Sequence, residues 1–208
     1  MAMKNIKIIL ICLFSISFFS FGQDITIGKQ VWKSKNLNVD KFKNGDPIQQ
    51  VKTKEAWIKA GQDKQPAWCY YNNDPANGTK YGKLYNWYAV NDPRGLAPEG
   101  YHIPTDTEWF ELITFLGGEY AAGKKIKSTT GWKDNGNGTN ECKFAGLPAG
   151  YRNYYGEFES LGAYAGWWTS ESFASDSARG RNLNHYGTDL NGCFPDMRSG
   201  MSIRCVKD

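Results

Sequence analysis

Histidine is nearly absent: His102 and His185 are the only two in 208 residues. No pair of cysteines stands in a C-x-x-C spacing. A structural zinc site needs four Cys or His ligands at short characteristic spacings, so this chain argues against one. Net charge is also scarce, at +4 with histidine neutral. That is no electrostatic footprint for a nucleic-acid partner. Internal repeats and low-complexity tracts are missing, which excludes solenoids, propellers and biased linkers. Beyond residue 22 no apolar run approaches the roughly 20 residues that a membrane-spanning helix requires.

What the chain does hold begins with an export signal. Lys4 and Lys7 form a short basic region, and residues 8–21 are a hydrophobic run rich in Ile, Leu and Phe. Ser20 and Gly22 then place small residues at −3 and −1 of a cleavage site before Gln23. Residues 1–22 are thus expected to be a signal peptide, and residues 23–208 a single domain large enough to bury a sizeable core. Loss of Lys4 and Lys7 brings the mature chain closer to neutrality. Its composition is loop-rich and aromatic-rich, with 23 Gly, 8 Trp, 12 Tyr and 11 Phe in the full sequence. Glycine permits tight turns, and buried aromatics dominate core energetics.

Cys12 lies within the hydrophobic run and would be removed with it. Four cysteines remain: Cys69, Cys142, Cys193 and Cys205. An even number in an exported chain suggests disulfides, and four cysteines allow three pairings. A catalytic cysteine is the other reading; it would need a base nearby to form a thiolate.

The strongest local signal is a helix near the middle. Thr105 and Glu108 read as a capping box, each side chain satisfying a backbone N–H at the helix start. Trp109, Leu112, Ile113 and Leu116 follow at i, i+3, i+4 and i+7 and predict one buried face. Gly117 and Gly118 stop the helix, because glycine enters the left-handed region without strain. Ile25, Ile27, Val31 and Trp32 around Gly28-Lys29 predict an N-terminal hairpin. Residues 35–39 read as a strand, 44–47 as a turn, 53–61 as a short helix around Trp57, and 84–90 as a first core helix. Short strands are expected at 145–147, 166–170, 178–183 and 202–206. Two core helices with short antiparallel strands and long irregular loops describe an α+β domain.

The motifs IGKQVWKSKNLNVD, PAWCYYNND, YGKLYNWYAVNDPRGLAPEGYHIPTDTEW, GLPAGYR with GEF, WWTSES and SIRCVKD occur in this order. Together they resemble the Fibrobacter succinogenes major paralogous domain family. The resemblance implies a C-type lectin-like fold. GYHIPTDTEW is similar to the LPTEAEWE segment of the formylglycine-generating enzyme branch of that fold, and SIRC to its closing strand. It further implies disulfides between Cys69 and Cys205 and, secondarily, between Cys142 and Cys193. The implied protein is exported in a Bacteroidota-type bacterium, at the outer surface, in the periplasm or secreted.

Two departures from those relatives narrow the function. Lectins that bind sugar through calcium carry Glu-Pro-Asn or Gln-Pro-Asp and a Trp-Asn-Asp triplet, and neither tripeptide nor triplet occurs here. The formylglycine enzymes use two closely spaced cysteines near the chain end, whereas Cys193 and Cys205 are well separated. The expectation is therefore a noncatalytic binding module for a surface glycan or an envelope protein, with no cofactor and no metal. The alternatives are an accessory subunit of an outer-envelope complex and, third, a formylglycine-generating-type enzyme. In such folds the ligand face is built from late loops, here residues 149–198. Tyr154, Tyr155, Asn184, His185 and Tyr186 are the candidate ligand-binding residues. Their rings can stack on sugars, and their polar atoms can bond hydroxyls. One of Trp167 and Trp168 is expected to be buried, because adjacent strand residues point to opposite faces.

Overall fold

A computed structural model describes residues 22–208. The expected signal peptide and Cys12 lie outside the described residues, Gly22 apart. The first half of the chain contains β1 (Asp24–Ile27), β2 (Gln30–Lys33), β3 (Gln49–Gln50), α1 (Lys54–Gln62), β4 (Ala67–Cys69), α2 (Pro75–Tyr81), β5 (Leu84–Tyr85), α3 (Trp87–Val90) and β6 (Tyr101–His102). The second half contains α4 (Asp106–Phe115), α5 (Glu119–Ile126), β7 (Tyr151–Arg152), β8 (Phe158–Glu159), β9 (Tyr164–Ser172), β10 (Ala178–Asn184), β11 (Asn191–Cys193) and β12 (Val206–Lys207).

Among the described residues the strands form four small sheets. Their orders are β1-β2-β12-β6, β3-β4-β5, β7-β8 and β11-β10-β9. All pairings are antiparallel except β3 with β4. The β1–β2 hairpin turns at Gly28-Lys29 as its pattern predicts, with Gly28 at φ 62°. Helix α4 starts at the predicted box: Thr105 Oγ1 accepts from the Glu108 N–H at 3.2 Å, and Glu108 Oε2 accepts from the Thr105 N–H at 2.8 Å. It buries Trp109, Leu112 and Ile113 and ends before Gly117 and Gly118, both at positive φ. Thr53 caps α1 by accepting from the Ala56 N–H, and Trp57 is buried there.

Three apolar clusters share the core. One packs Trp32, Trp109, Phe144 and Trp167 between the first sheet, α4 and β9. A second gathers Trp68, Tyr85, Trp168, Met201 and Cys205. The third, smaller, holds Val51, Trp57, Cys69 and Leu84. Arg152, 1% exposed, joins elements at the edge of this last cluster. Its guanidinium lies 4.6 Å from the Trp57 ring, and it donates to Val51 O at 2.8 Å and Thr53 O at 3.0 Å.

Several expectations are corrected. The C-type lectin-like fold is not what the chain adopts. Small, mostly antiparallel sheets and five α-helices divide the described residues, in place of two core helices carrying a strand frame. Only a loose mixture of helix and strand survives from the α+β reading. The physical reason is that the apolar positions sort into three clusters, and short strands such as β4, β5 and β9 divide their side chains between them. Residues 84–90 split into β5 and the single turn α3, because Asn86 caps the turn by accepting from the Ala89 N–H. Residues 35–39 and 145–147 form no strand. Leu37 N–H instead makes a single tertiary bond to Ile203 O. The closing strand is confined to Val206–Lys207. Trp167 and Trp168 are both 0% exposed, since the sheet containing β9 is covered on both faces.

Candidate ligand-binding cleft

The five candidate residues divide into two places. Tyr154 and Tyr155 sit in the β7–β8 turn, which Asn153 orders by accepting from the Tyr155 and Glu157 N–H groups, both at 3.0 Å. Their ring centroids are 4.0 Å apart, and the Arg198 guanidinium lies 4.9 Å from the Tyr154 ring. Gly156 in this turn touches Lys54 of α1. This pair lines neither of the two clefts described below. Asn184, His185 and Tyr186 lie instead at the end of β10, against the loop 134–137 and helix α5.

That second place is a built cleft of about 330 Å³. Its floor is pinned by Lys127, which is buried and donates to Asn184 O at 2.6 Å and Gly187 O at 2.5 Å. Burial lowers the Lys127 pKa, partly offset by Asp189. The carbonyl pair and the Trp132 ring, 4.5 Å from Nζ, hold the ammonium in place. Asn184 thus supports the cleft through its backbone; its side chain is not among the lining groups. The opposite wall is Asp134-Asn135-Gly136-Asn137. Asp134 and Asn135 are at φ 49° and 60°, a left-handed conformation that Asp and Asn tolerate better than other side chains. Gly136 has no substitute here, because an added Cβ would lie 2.2 Å from His185 O. Asn137 Oδ1 accepts from the Trp132 N–H at 3.0 Å and fixes the loop.

The polar groups in this cleft are varied. His185 Nδ1 is 3.2 Å from Asp134 Oδ2. The contact lacks hydrogen-bond alignment, so the buried Nδ1 is left without a bonded protein partner. Asn135 and Lys124 add an amide and an ammonium to the lining. Tyr186 stands at the edge, 81% exposed, with its ring centroid 5.2 Å from that of His185. Asp134, Asn135 and Lys124 were missing from the sequence-based set. Their signal was the run Asp-Asn-Gly-Asn-Gly at 134–138, which marks a tight left-handed turn but says nothing of what faces it.

Among the described residues the four cysteines stand as free thiols in this structure, with neither a Cys69–Cys205 nor a Cys142–Cys193 bridge between them. Cys69 and Cys205 belong to different core clusters. Cys142 packs on the α4 cluster, while Cys193 lies beside Tyr164. Burial pushes the Cys69 and Cys205 thiols up to about 12 and the Cys193 thiol up to about 11. His102 is committed elsewhere: Nδ1 meets Asp208 Oδ1 at 2.8 Å and Nε2 meets Glu108 Oε1 at 2.7 Å. Glu108 is itself the N3 member of the capping box. Among the described residues no cluster of three or more His, Cys, Asp or Glu side chains could hold a metal ion. No helix there is long and apolar enough to cross a membrane.

The Fibrobacter succinogenes major domain model matches residues 25–207, essentially all of the described chain. The chain belongs to this family. Comparison with curated proteins and with solved structures finds no match.

Proposed function

We propose that this family member is a noncatalytic glycan-binding module, exported to the cell surface, the periplasm or the medium. One observation carries the reading: the 134–137 and 185–188 loops enclose a cleft with mixed donors and acceptors beside an exposed tyrosine ring. A neutral sugar presents an apolar ring face for stacking and hydroxyls that both donate and accept. The Asp134 carboxylate, the Asn135 amide and the Lys124 ammonium suit such hydroxyls. The export reading rests on the N-terminal sequence. Kinship with the formylglycine-generating enzymes is a further proposal resting on GYHIPTDTEW and SIRC; free, buried thiols with raised pKa values favour its noncatalytic form.

A glycan array probed with the mature protein tests the proposal. Tyr186→Ala should weaken binding to any hit about tenfold, a loss of about 1.4 kcal/mol, with no change in melting temperature. Tyr155→Ala, in the other turn, should leave binding intact. A blank array, or undiminished binding by Tyr186→Ala, rejects the cleft as a sugar site.

A second reading, an accessory subunit of an envelope complex, has its own observation. Phe110 and Phe115 of α4 are 60% and 64% exposed and flank a groove shared with Ile27 and Gly28. A stable partner retained in an envelope pulldown by wild type, and lost by Phe115→Ser, would favour it.

A further inference from the structure

A second cleft, of about 420 Å³, lies between residues 34–38 and 78–82, with Ala145, Leu147 and Arg204 completing its walls. Arg204 is 1% exposed, yet among the described residues no carboxylate pairs with it. Its guanidinium is held by neutral acceptors. Nε and Nη2 donate to Asn36 Oδ1 at 3.1 and 2.9 Å, and Nη1 donates to Lys33 O at 3.0 Å and Phe144 O at 2.6 Å. Those bonds use four of its five N–H groups, leaving one on Nη2. The Phe144 ring covers one face at 4.1 Å. An unpaired buried charge is costly, and it becomes favourable when an opposite charge meets it in the same low-dielectric place. Burial lowers the Arg204 pKa to about 9, which is the same cost seen as acidity.

The remaining lining agrees with that charge. Lys35, Lys80 and Arg204 are its charged residues, all cations, and no Asp or Glu lines the cleft. The carbonyls at the end of α2 do not face it bare: Asn36 Nδ2 donates to Tyr81 O at 2.9 Å and Asn38 Nδ2 to Gly78 O at 3.3 Å. Tyr81, Ala145 and Leu147 supply an apolar wall. We propose that this cleft binds a small organic anion, with its oxyanion head toward Arg204 and Lys80 and its apolar body against Leu147 and Tyr81. The site is separate from the sugar cleft and does not depend on it.

Benzoate, phenyl phosphate and neutral benzyl alcohol are suitable probes, titrated into the mature protein by calorimetry and by nitrogen-15 NMR. Trp167 Nε1–H reports the site, because it donates to the same Asn36 Oδ1 at 2.9 Å. Both anions should bind and shift that indole resonance, and benzyl alcohol should not. The two anions distinguish a carboxylate from a phosphate head. Arg204 variants risk unfolding, so Lys80→Glu, on an exposed side chain, is the working substitution. It should weaken benzoate about tenfold through charge reversal alone. Lys64→Glu, outside the cleft, should not. Equal binding of benzyl alcohol, unchanged benzoate affinity in Lys80→Glu, or no binding of either anion would overturn the proposal.

Discussion

At the scale of single residues, Trp109 shows what a periodic pattern can reveal. Its spacing to Leu112, Ile113 and Leu116 predicts burial, and its ring meets Trp32, Phe144 and Trp167 at 4.8, 5.8 and 5.9 Å. Trp109→Ala should cost about 3–5 kcal/mol, read as a lower urea midpoint. A loss under about 1 kcal/mol would mean that the site refills easily. Trp167 and Trp168 were half legible, because strand alternation describes one sheet and not what covers its second face. The cysteines pose a related problem: pairing depends on which cluster each thiol enters, and no local pattern encodes that. Iodoacetamide should leave Cys69 and Cys205 unlabelled in the native protein and label both, without reductant, after unfolding. A Cys69–Cys205 peptide in a non-reducing map would restore the bridge.

At the scale of elements, what was legible is what is local. The β1–β2 turn, the Thr53 and Thr105 caps and the glycine pair after α4 each involve residues within a few positions of one another. The 84–90 segment was not legible as strand plus turn, because β5 exists only through pairings distant in sequence, with β4 and with Met201. The sugar cleft was half legible: His185 and Tyr186 stood out by type, while the 134–137 wall faces them only after α5 and Lys127 bring the loops together. Thr105→Ala should cost about 1 kcal/mol of stability, measured by denaturant titration.

The start of α4 also carries a pH dependence. Burial alone would lower the His102 pKa, but its hydrogen bonds to Asp208 and Glu108 outweigh this and raise it. The stabilisation from protonated His102 is therefore full below about pH 6.5 and fades as pH rises through the raised folded value. Glu108 has the opposite sign. Burial would raise its pKa, but the Thr105 N–H and His102 hold it below the usual range, so its contribution is lost only as pH falls through that lower value. Melting temperature should decline as pH rises from about 6.5 through the raised folded value, and His102→Gln should flatten the decline. Both groups are partly exposed, so salt will reduce the effect. An equally steep decline in His102→Gln would assign the titration to another group.

At the scale of the molecule, the three clusters are bolted together rather than merely adjacent. The Val51 N–H of the third cluster donates to Trp68 O of the second at 2.9 Å, Trp57 Nε1 of the third donates to Arg198 O at 2.9 Å, and β9 places Trp167 in the first cluster and Trp168 in the second. Arg152 joins the β7 strand to the start of α1. Such cross-links predict one cooperative unfolding event, with tryptophan fluorescence and far-UV circular dichroism tracing a single curve in guanidinium. Separated midpoints would mean that at least one cluster opens alone. The sequence order of motifs indicated a single unit, but these bolts are long-range and have no local signature.

The position of β12 has a consequence for how the chain is made. Val206 pairs with Trp32 on one side and with His102 on the other, so the last strand is the middle member between the N-terminal hairpin and β6. The hairpin leaves the ribosome well before β12, which pairs with it from far along the chain. Until then its inner edge has no ladder to join, and Trp32 lacks the Val206 contact that closes its cluster. A stalled nascent chain that stops before residue 201 should therefore remain open to protease along its whole length, while one extended through β12 and clear of the ribosome should gain protection in a single step.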